Sequence, residues 1–195
     1  HLDQWSHNIK DWRGLGTSLT CVVAGDISKD IGLTISFLNH LSYGYKNVIF
    51  IDGNHEHHSD YSDLGKNVLL FERALSKMKN VTYLADSSLI IDGTAFIGAN
   101  GWWTFDLDPV LDYEQSAVWL QHKANYSQSI TDSIAGIAFN DTAYMINSVR
   151  KLQTHQDVKS IICVTHTVPL SCLINHDMDL VDTWKFNCMG NPHMQ

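Results

Sequence analysis

The chain has 195 residues, 44% of them apolar and 17% charged, which is the composition of a folded globular domain and excludes a disordered segment. Its formal net charge of −8 argues against an extended surface for duplex DNA or anionic membrane, although bound cations could still attract a phosphorylated substrate. No apolar run reaches the roughly 18 residues of a membrane span, so no membrane association is expected.

The ends and the cysteines of the chain bear on its location. The opening residues HLDQWSHNIKDW contain neither a Met nor a basic start followed by an apolar block, so no signal peptide is visible in them, and the true N-terminus, with or without a signal, could lie upstream of His1. The four cysteines have no CxxC spacing, which favours reduced thiols in the cytoplasm. Cys21 and Cys163 lie in apolar runs and are expected to be core residues.

The first part of the chain alternates between short apolar runs and helical patterns. Residues 19–25 and 47–53 are predicted strands, because each is rich in β-branched residues and ends at a glycine. Helices are predicted over 29–43 and from Leu64 to Met78, where apolar residues recur at helical spacing. This β-α-β order predicts a parallel sheet.

Three further strands are predicted close together, over 81–85, 88–93 and 94–99. Asp92-Gly93 is a favourable hairpin turn between the second and the third of these strands. Because a hairpin makes neighbouring strands antiparallel, this part of the chain predicts a mixed sheet or a second sheet.

The remainder of the chain gives weaker signals. Residues 100–115 have no clean period and predict a loop over the surface or at a cleft rim. A helix is predicted from about 140 to 154, with Asn140 or Asp141 as its N-cap. A buried strand is predicted over 160–166. Together the elements predict one α/β domain over residues 1–195.

Polar residues suited to metal binding follow three of the predicted strands. Asp26 follows VVAG, Asn54-His55 follow FIDG, and His166 follows CVT. Singly, Asp26 could cap a helix, Asn54 could shape a turn, and His166 could be a hydrogen-bonded residue near the core. Functional sites of α/β sheets lie outside the carboxyl ends of strands, and divalent cations accept carboxylate, carboxamide and imidazole together. The coincidence of all three endings therefore favours a metal site.

Three motifs, in order GDIS (25–28), GNHE (53–56) and THTVP (165–169), resemble the calcineurin-like metallophosphoesterases. The opening HLDQW looks like the continuation of that family's D-x-H-L, and FIGANGWW resembles a segment of its bacterial and phage branch. The resemblance implies a four-layer α-β-β-α sandwich with two mixed β-sheets. It also implies hydrolysis of a phosphomonoester or phosphodiester by a hydroxide that bridges two divalent metal ions, Mn²⁺ foremost, with Fe, Zn, Ni and Mg as alternatives.

The resemblance also implies a role for each motif residue. Four of them would be metal ligands: His1 on the first ion, Asp26 bridging both ions, and Asn54 and His166 on the second. His55 would be the catalytic histidine beside the leaving group, and Glu56, outside the ligand set, would orient it.

The tail departs from the family pattern, because no G-H-x-H is present. In GNPH (190–193), Asn191 takes the place of the first histidine and His193 stands for the second. Two interpretations stay open: these two residues are ligands of a divergent motif, or the chain ends before the true motif. The missing aspartate before His1 favours a chain truncated at both ends.

Further residues could face a substrate. His57 and His58 adjoin the predicted site, and Trp102 and Trp103 could stack on a base or aryl group, or simply pack. A small phosphoester or nucleotide is the expected substrate, with a DNA or RNA nuclease as the alternative among enzymes. Outside enzymes, the missing G-H-x-H suggests a non-catalytic member that serves as a protein-binding scaffold.

Overall fold

The chain divides into two compact units, His1–Ala85 (unit 1) and Asp86–Gln195 (unit 2). The computed structural model describes residues 2, 18–57, 64–106, 113–124, 128–173 and 190–194. These residues form two three-stranded sheets and four α-helices, so the predicted α/β class is confirmed. Among the helices of those ranges, none combines the length and the apolar character needed to cross a membrane.

Unit 1 is built on a parallel sheet with the strand order β1-β2-β3. The strands are β1 (Thr20–Ala24), β2 (Asn47–Ile51) and β3 (Val81–Tyr83). The register pairs Ala24 with Ile51, so the chain leaves β1 and β2 at the same edge of the sheet. The parallel sheet predicted from the β-α-β pattern is confirmed.

Two helices connect these strands, α1 (Ile31–Ser42) and α2 (Leu64–Leu75). The N-cap of α1 is Asp30, whose side chain accepts the N–H of Leu33 at 3.0 Å. Asp26 therefore does not cap this helix, and its carboxylate serves another purpose.

The core of unit 1 lies between the helices and the sheet. Its buried residues from the helices and strands share apolar side chains: Phe37, Leu38, Leu41, Val48, Phe50, Phe71, Leu75 and Val81. The rings of Phe50 and Phe71 meet edge to face with centroids 5.5 Å apart, and Phe50 stacks on Tyr83 at 5.4 Å. This packing fixes β2 and β3 against α2.

Unit 2 contains a mixed sheet with the order β4-β5-β6. Strands β4 (Ser87–Ile91) and β5 (Thr94–Gly98) form the predicted hairpin, and β6 (Ser160–Val164) pairs parallel with β5. Asp92 and Gly93 both have positive φ, 49° and 83°, as a type I′ turn requires. The expected second, mixed sheet is confirmed.

The helices of unit 2 are α3 (Tyr113–Ala124) and α4 (Gln128–Leu152). A helix in the α4 region was predicted correctly, but it begins at Gln128 and not near 140. The N-cap prediction for Asn140 and Asp141 is wrong, because both lie inside α4. The apolar residues at helical spacing begin before residue 140, because Ile134, Ala135 and Ala138 are also buried on α4.

The Asp141 carboxylate is buried and serves a neighbouring loop instead of a helix end. It accepts the N–H of Gly101 at 2.7 Å and of Trp102 at 3.2 Å. Trp102, Trp103 and Phe105 are buried, so the surface-loop alternative is wrong for this part of the segment and the packing interpretation of the tryptophans is confirmed. The cleft-rim alternative stays a prediction. Residues 113–115 of the predicted loop belong to α3, and 107–112 lie outside the described residues.

Strand β6 is more exposed than its apolar sequence suggests. Ile162 is 44% exposed and Cys163 is exposed, so the predictions of a buried strand and of a core Cys163 are wrong. The physical reason is that β6 pairs with β5 alone among the described strands and lies at the edge of the sheet. Cys21 is half-buried in β1.

Candidate functional site

The candidate site of unit 1 lies where the chain leaves β1 and β2. After β1, Gly25 and Asp26 both adopt positive φ, 78° and 59°, which turns the chain sharply towards α1. After β2, residues His55–His57 form one 3-10 turn, closed by a bond from the His57 N–H to the Asn54 C=O at 3.2 Å. Because the two strands are parallel neighbours, the loop 25–28 and the turn 53–57 lie side by side.

The carboxylate of Glu56 joins the turn to the loop. It is fully buried and accepts four backbone N–H groups: from Asp26 at 2.8 Å, Ile27 at 2.6 Å, Ser28 at 3.2 Å and Gly53 at 2.8 Å. Charge-assisted bonds of this kind are about twice as strong as neutral ones. The arrangement makes Glu56 the link that holds the two loops in register.

The environment of Glu56 acts on its ionisation in two directions. Burial raises the pKa of the Glu56 carboxyl above its ordinary value, while the backbone N–H groups of Gly53, Ser28 and Asp26 oppose the rise. Those N–H groups therefore offset part of the cost of burying the carboxylate.

Asp26 and His55 meet in front of this link. The N–H of His55 donates to Asp26 Oδ1 at 3.0 Å, and the His55 Nε2 lies 3.9 Å from Asp26 Oδ2. Both side chains are partly exposed, at 23% for His55 and 24% for Asp26. Asn54 precedes His55 in the same turn. A carboxylate, an imidazole and a carboxamide thus share one edge of the sheet, as the sequence predicted.

Behind the turn lies a buried cluster that the sequence did not reveal. His57 Nε2 lies 2.5 Å from Asp52 Oδ2, the Tyr83 hydroxyl donates to Asp52 Oδ1 at 2.7 Å, and Asn67 Nδ2 lies 3.3 Å from His57 Nδ1. His57 is fully buried, so the interpretation that it faces the substrate is wrong. His58 lies outside the described residues. The available signal was an aspartate at the end of β2, in reach of a histidine across the tight turn.

The cluster shifts the pKa of two of its members. Burial acts to raise the pKa of Asp52, but the hydrogen bond and charge of His57, together with the Tyr83 hydroxyl, outweigh it, and the pKa lies below its ordinary value. Burial, followed by the charge of Asp52, raises the pKa of Tyr83 well above its ordinary value. Asp52 is therefore a buried anion, and the Tyr83 phenol, which keeps its proton, donates a hydrogen bond to it.

The two other predicted metal ligands, His1 and His166, do not lie among the described residues of unit 1. His1 lies outside the described residues, while its neighbour Leu2 donates its N–H to the Ile27 C=O at 2.7 Å, beside Asp26. His166 belongs to unit 2, where it follows β6 and its N–H donates to the C=O of Asn100 at 3.0 Å. The grouping of His166 with Asp26 and Asn54 stays a prediction.

The tail residues of unit 2 have protein partners. Asn191 is fully buried; its amide donates to the Ala138 C=O at 3.1 Å, and its Oδ1 accepts the Thr142 hydroxyl at 3.2 Å. Both ends of this carboxamide are bound to α4, which accounts for a buried asparagine without a metal. His193 Nε2 lies 2.7 Å from Asp106 Oδ2 in an exposed pair.

The donors at the edge of unit 1 fit part of a metal-ligand set. Asp26, Asn54 and His55 offer the donor types that divalent cations such as Mn²⁺ accept. Within the part of the chain that the structure describes, no three His, Cys, Asp or Glu side chains gather as a ligand group. A resident ion would need ligands in addition to Asp26 and Asn54, and His1 and His166 are the predicted ones.

Comparison of the chain with family models, with curated proteins and with solved structures gives no match. A functional assignment therefore depends on the motifs and on the geometry of the loops that carry them.

Proposed function

We propose that this chain is a metal-dependent phosphoesterase of the calcineurin-like type, hydrolysing a phosphomonoester or phosphodiester with the help of two divalent cations. The proposal includes one domain over 1–195 with a four-layer α-β-β-α arrangement. The observation that carries it is the Glu56 carboxylate, which ties the loop bearing Asp26 to the turn bearing Asn54 and His55 through four N–H groups. The order of the three motifs along the chain supports it.

The Glu56 link supports a functional role because a turn alone does not require it. A buried carboxylate is costly unless every acceptor site is used, and an ordinary strand end could be closed by a neutral side chain. Here the Glu56 carboxylate fixes two loops that carry a partly exposed carboxylate and a partly exposed imidazole. Holding reactive side chains on rigid, supported backbone is what catalysis by preorganised groups requires.

Asp26 and Asn54 would hold the cations, with His1 and His166 as the further predicted ligands. When bound, the two cations would supply a hydroxide nucleophile near neutral pH and would neutralise charge on the phosphoryl oxygens. Asn54 would contribute a neutral oxygen, which keeps the ligand charge low and lets a phosphate dianion approach.

His55 would serve the leaving group. Its Nε2 lies 3.9 Å from the Asp26 carboxylate on the same partly exposed edge, so both groups can face one substrate. Protonated at Nε2, His55 would pass its proton to the departing oxygen, a contribution on the order of 10²–10⁴-fold.

The test is the hydrolysis of bis(p-nitrophenyl) phosphate and p-nitrophenyl phosphate with added Mn²⁺. We expect His55→Ala to lower kcat by roughly 10²–10⁴-fold and Asp26→Asn to weaken the dependence on Mn²⁺. His40→Ala is the matched control, because His40 lies in the last turn of α1, about 14 Å along the helix from Ile31. Wild-type turnover in both site variants would refute the assignment.

A non-catalytic scaffold is the second candidate. It rests on the divergent-motif interpretation, in which Asn191 takes the place of the first histidine of the family's G-H-x-H. Asn191 binds α4 through both ends of its carboxamide, which supports this candidate. Metal analysis separates the two candidates, because the enzyme should hold about two equivalents of divalent metal and the scaffold almost none.

A further inference from the structure

The buried cluster behind the turn has no part in the proposed chemistry. Asp52 directly follows β2, Tyr83 ends β3, and Asn67 lies in α2. Asp52 bonds to both His57 and Tyr83, and Asn67 bonds to His57. His57 thus contacts Asp52 after β2 and Asn67 in α2 directly, and it is linked to Tyr83 in β3 through Asp52.

The Asp52–His57 pair at the centre of the cluster is closed, because each polar atom of its two side chains has a partner. Both Asp52 oxygens are engaged, one by Tyr83 and one by His57, and both His57 ring nitrogens are engaged, one by Asp52 and one by Asn67. A buried acid–base pair is tolerated only when such partners are present, and the loss of one partner leaves the other group buried and unsatisfied. The position of the His57 ring is therefore strongly determined.

The backbone transmits this constraint to the site. The His57 N–H donates to the C=O of Asn54, which closes the turn. Glu56, one residue earlier, bonds to the loop 25–28 and ties the same turn to the chain that leaves β1. Two consecutive side chains thus hold the backbone of Asn54 and His55 between them.

We propose that His57 is a positioning residue which, held by Asp52 and Asn67, fixes the turn that presents Asn54 and His55. Its effect on the backbone of the turn is independent of catalysis. Its effect on metal affinity rests on the proposed function.

Residue-resolved amide hydrogen exchange tests the backbone effect. In His57→Leu, we expect the His55 N–H, which bonds to Asp26, and the Gly53 N–H, which bonds to Glu56, to exchange faster by about tenfold after correction for global stability. The corrected exchange of Ile49, in the middle of β2, should not change. Asn67→Ala is the second variant, to be used if His57→Leu does not fold. It removes only one partner of His57, so we expect a smaller acceleration of exchange at the same two amides.

Leu41→Ala is the control for stability alone. Leu41 is buried in the core of unit 1, so its truncation weakens the unit without touching the cluster. In this variant we expect the exchange rates of the amides at positions 49, 53 and 55 to rise by the same factor. If amide exchange accelerated equally at positions 55 and 49 in His57→Leu and Asn67→Ala as well, the proposal would be overturned.

Titration with Mn²⁺ separates the positioning role from the proposed function. We expect Asn67→Ala to bind Mn²⁺ on the order of tenfold more weakly and Leu41→Ala to keep the wild-type Kd. If wild type binds no Mn²⁺, the proposed function fails, and the exchange result decides the positioning role. If wild type binds and Asn67→Ala keeps the same Kd, the proposed effect on affinity is wrong.

Discussion

The Glu56 carboxylate accepts the N–H of Asp26 at 2.8 Å, across thirty positions of sequence. The same oxygen accepts the N–H of Gly53, three residues before Glu56, so one atom joins the ends of two parallel strands. This contact brings the Asp26 carboxylate to the His55 N–H at 3.0 Å. The geometry of the candidate site therefore depends on a residue that is itself shielded from solvent.

Replacement of Glu56 by Gln should destabilise unit 1. A carboxamide offers one acceptor oxygen and turns its NH₂ towards N–H donors, so at least two of the four backbone N–H groups lose their acceptor. We expect a loss of roughly 2–4 kcal/mol in the free energy of unfolding, measured by chemical denaturation.

Glu72→Gln is the matched control for this change. Glu72 is exposed on α2, so the same substitution there should alter stability by less than about 0.5 kcal/mol. Equal effects of the two substitutions would show that the four bonds to Glu56 contribute no net stability.

Stability should depend on pH through Asp52. The folded-state pKa of Asp52 lies below its ordinary value of 3.8, so its contribution is complete above that value and is lost as pH falls through the folded-state pKa. In this window the wild-type free energy of unfolding should fall, relative to Asp52→Asn, by up to about 1.4 kcal/mol for each pH unit.

Urea denaturation at a series of pH values measures this dependence. Asp157→Asn controls for the change in net charge, because Asp157 is exposed. A constant difference between wild type and Asp52→Asn across the acid range would contradict the assignment of Asp52 as a buried anion.

Loss of the Asp141 carboxylate should destabilise unit 2. Asp141→Ala would leave the buried N–H groups of Gly101 and Trp102 without their acceptor. We expect a loss of about 2–3 kcal/mol by chemical denaturation. Asp132→Ala, at an exposed position of the same helix, should stay close to wild type, and a similar loss in both variants would argue against this role.

Local patterns predicted the elements whose geometry is set by near neighbours. Apolar β-branched runs located β1 and β2, and the Asp92-Gly93 pair located the hairpin, because a type I′ turn needs two residues that tolerate positive φ. The side-by-side placement of Asp26 and His55 followed from the parallel order of their strands.

Features set by distant contacts were missed. Asp141 looked like a helix cap, but its carboxylate is used by a loop forty residues away. The Asp52–His57 pair was missed because Asp52 alone fits an ordinary polar position at a strand end. His57 adjoins the predicted metal site and was interpreted as facing the substrate, although it is buried against Asp52. The edge location of β6, which exposes Ile162, depends on the partners of the strand and not on its own sequence.

The most direct test of the metal centre is a calorimetric titration of wild type and Asp26→Asn with Mn²⁺ under identical conditions. Asp26 supplies the partly exposed carboxylate of the described candidate ligands at the shared edge of β1 and β2, and the Glu56 link holds it in place. The account predicts saturable binding by wild type and an affinity at least about tenfold lower in Asp26→Asn, since an anionic ligand is removed. Identical binding curves for the two proteins, or no binding by wild type, would contradict it.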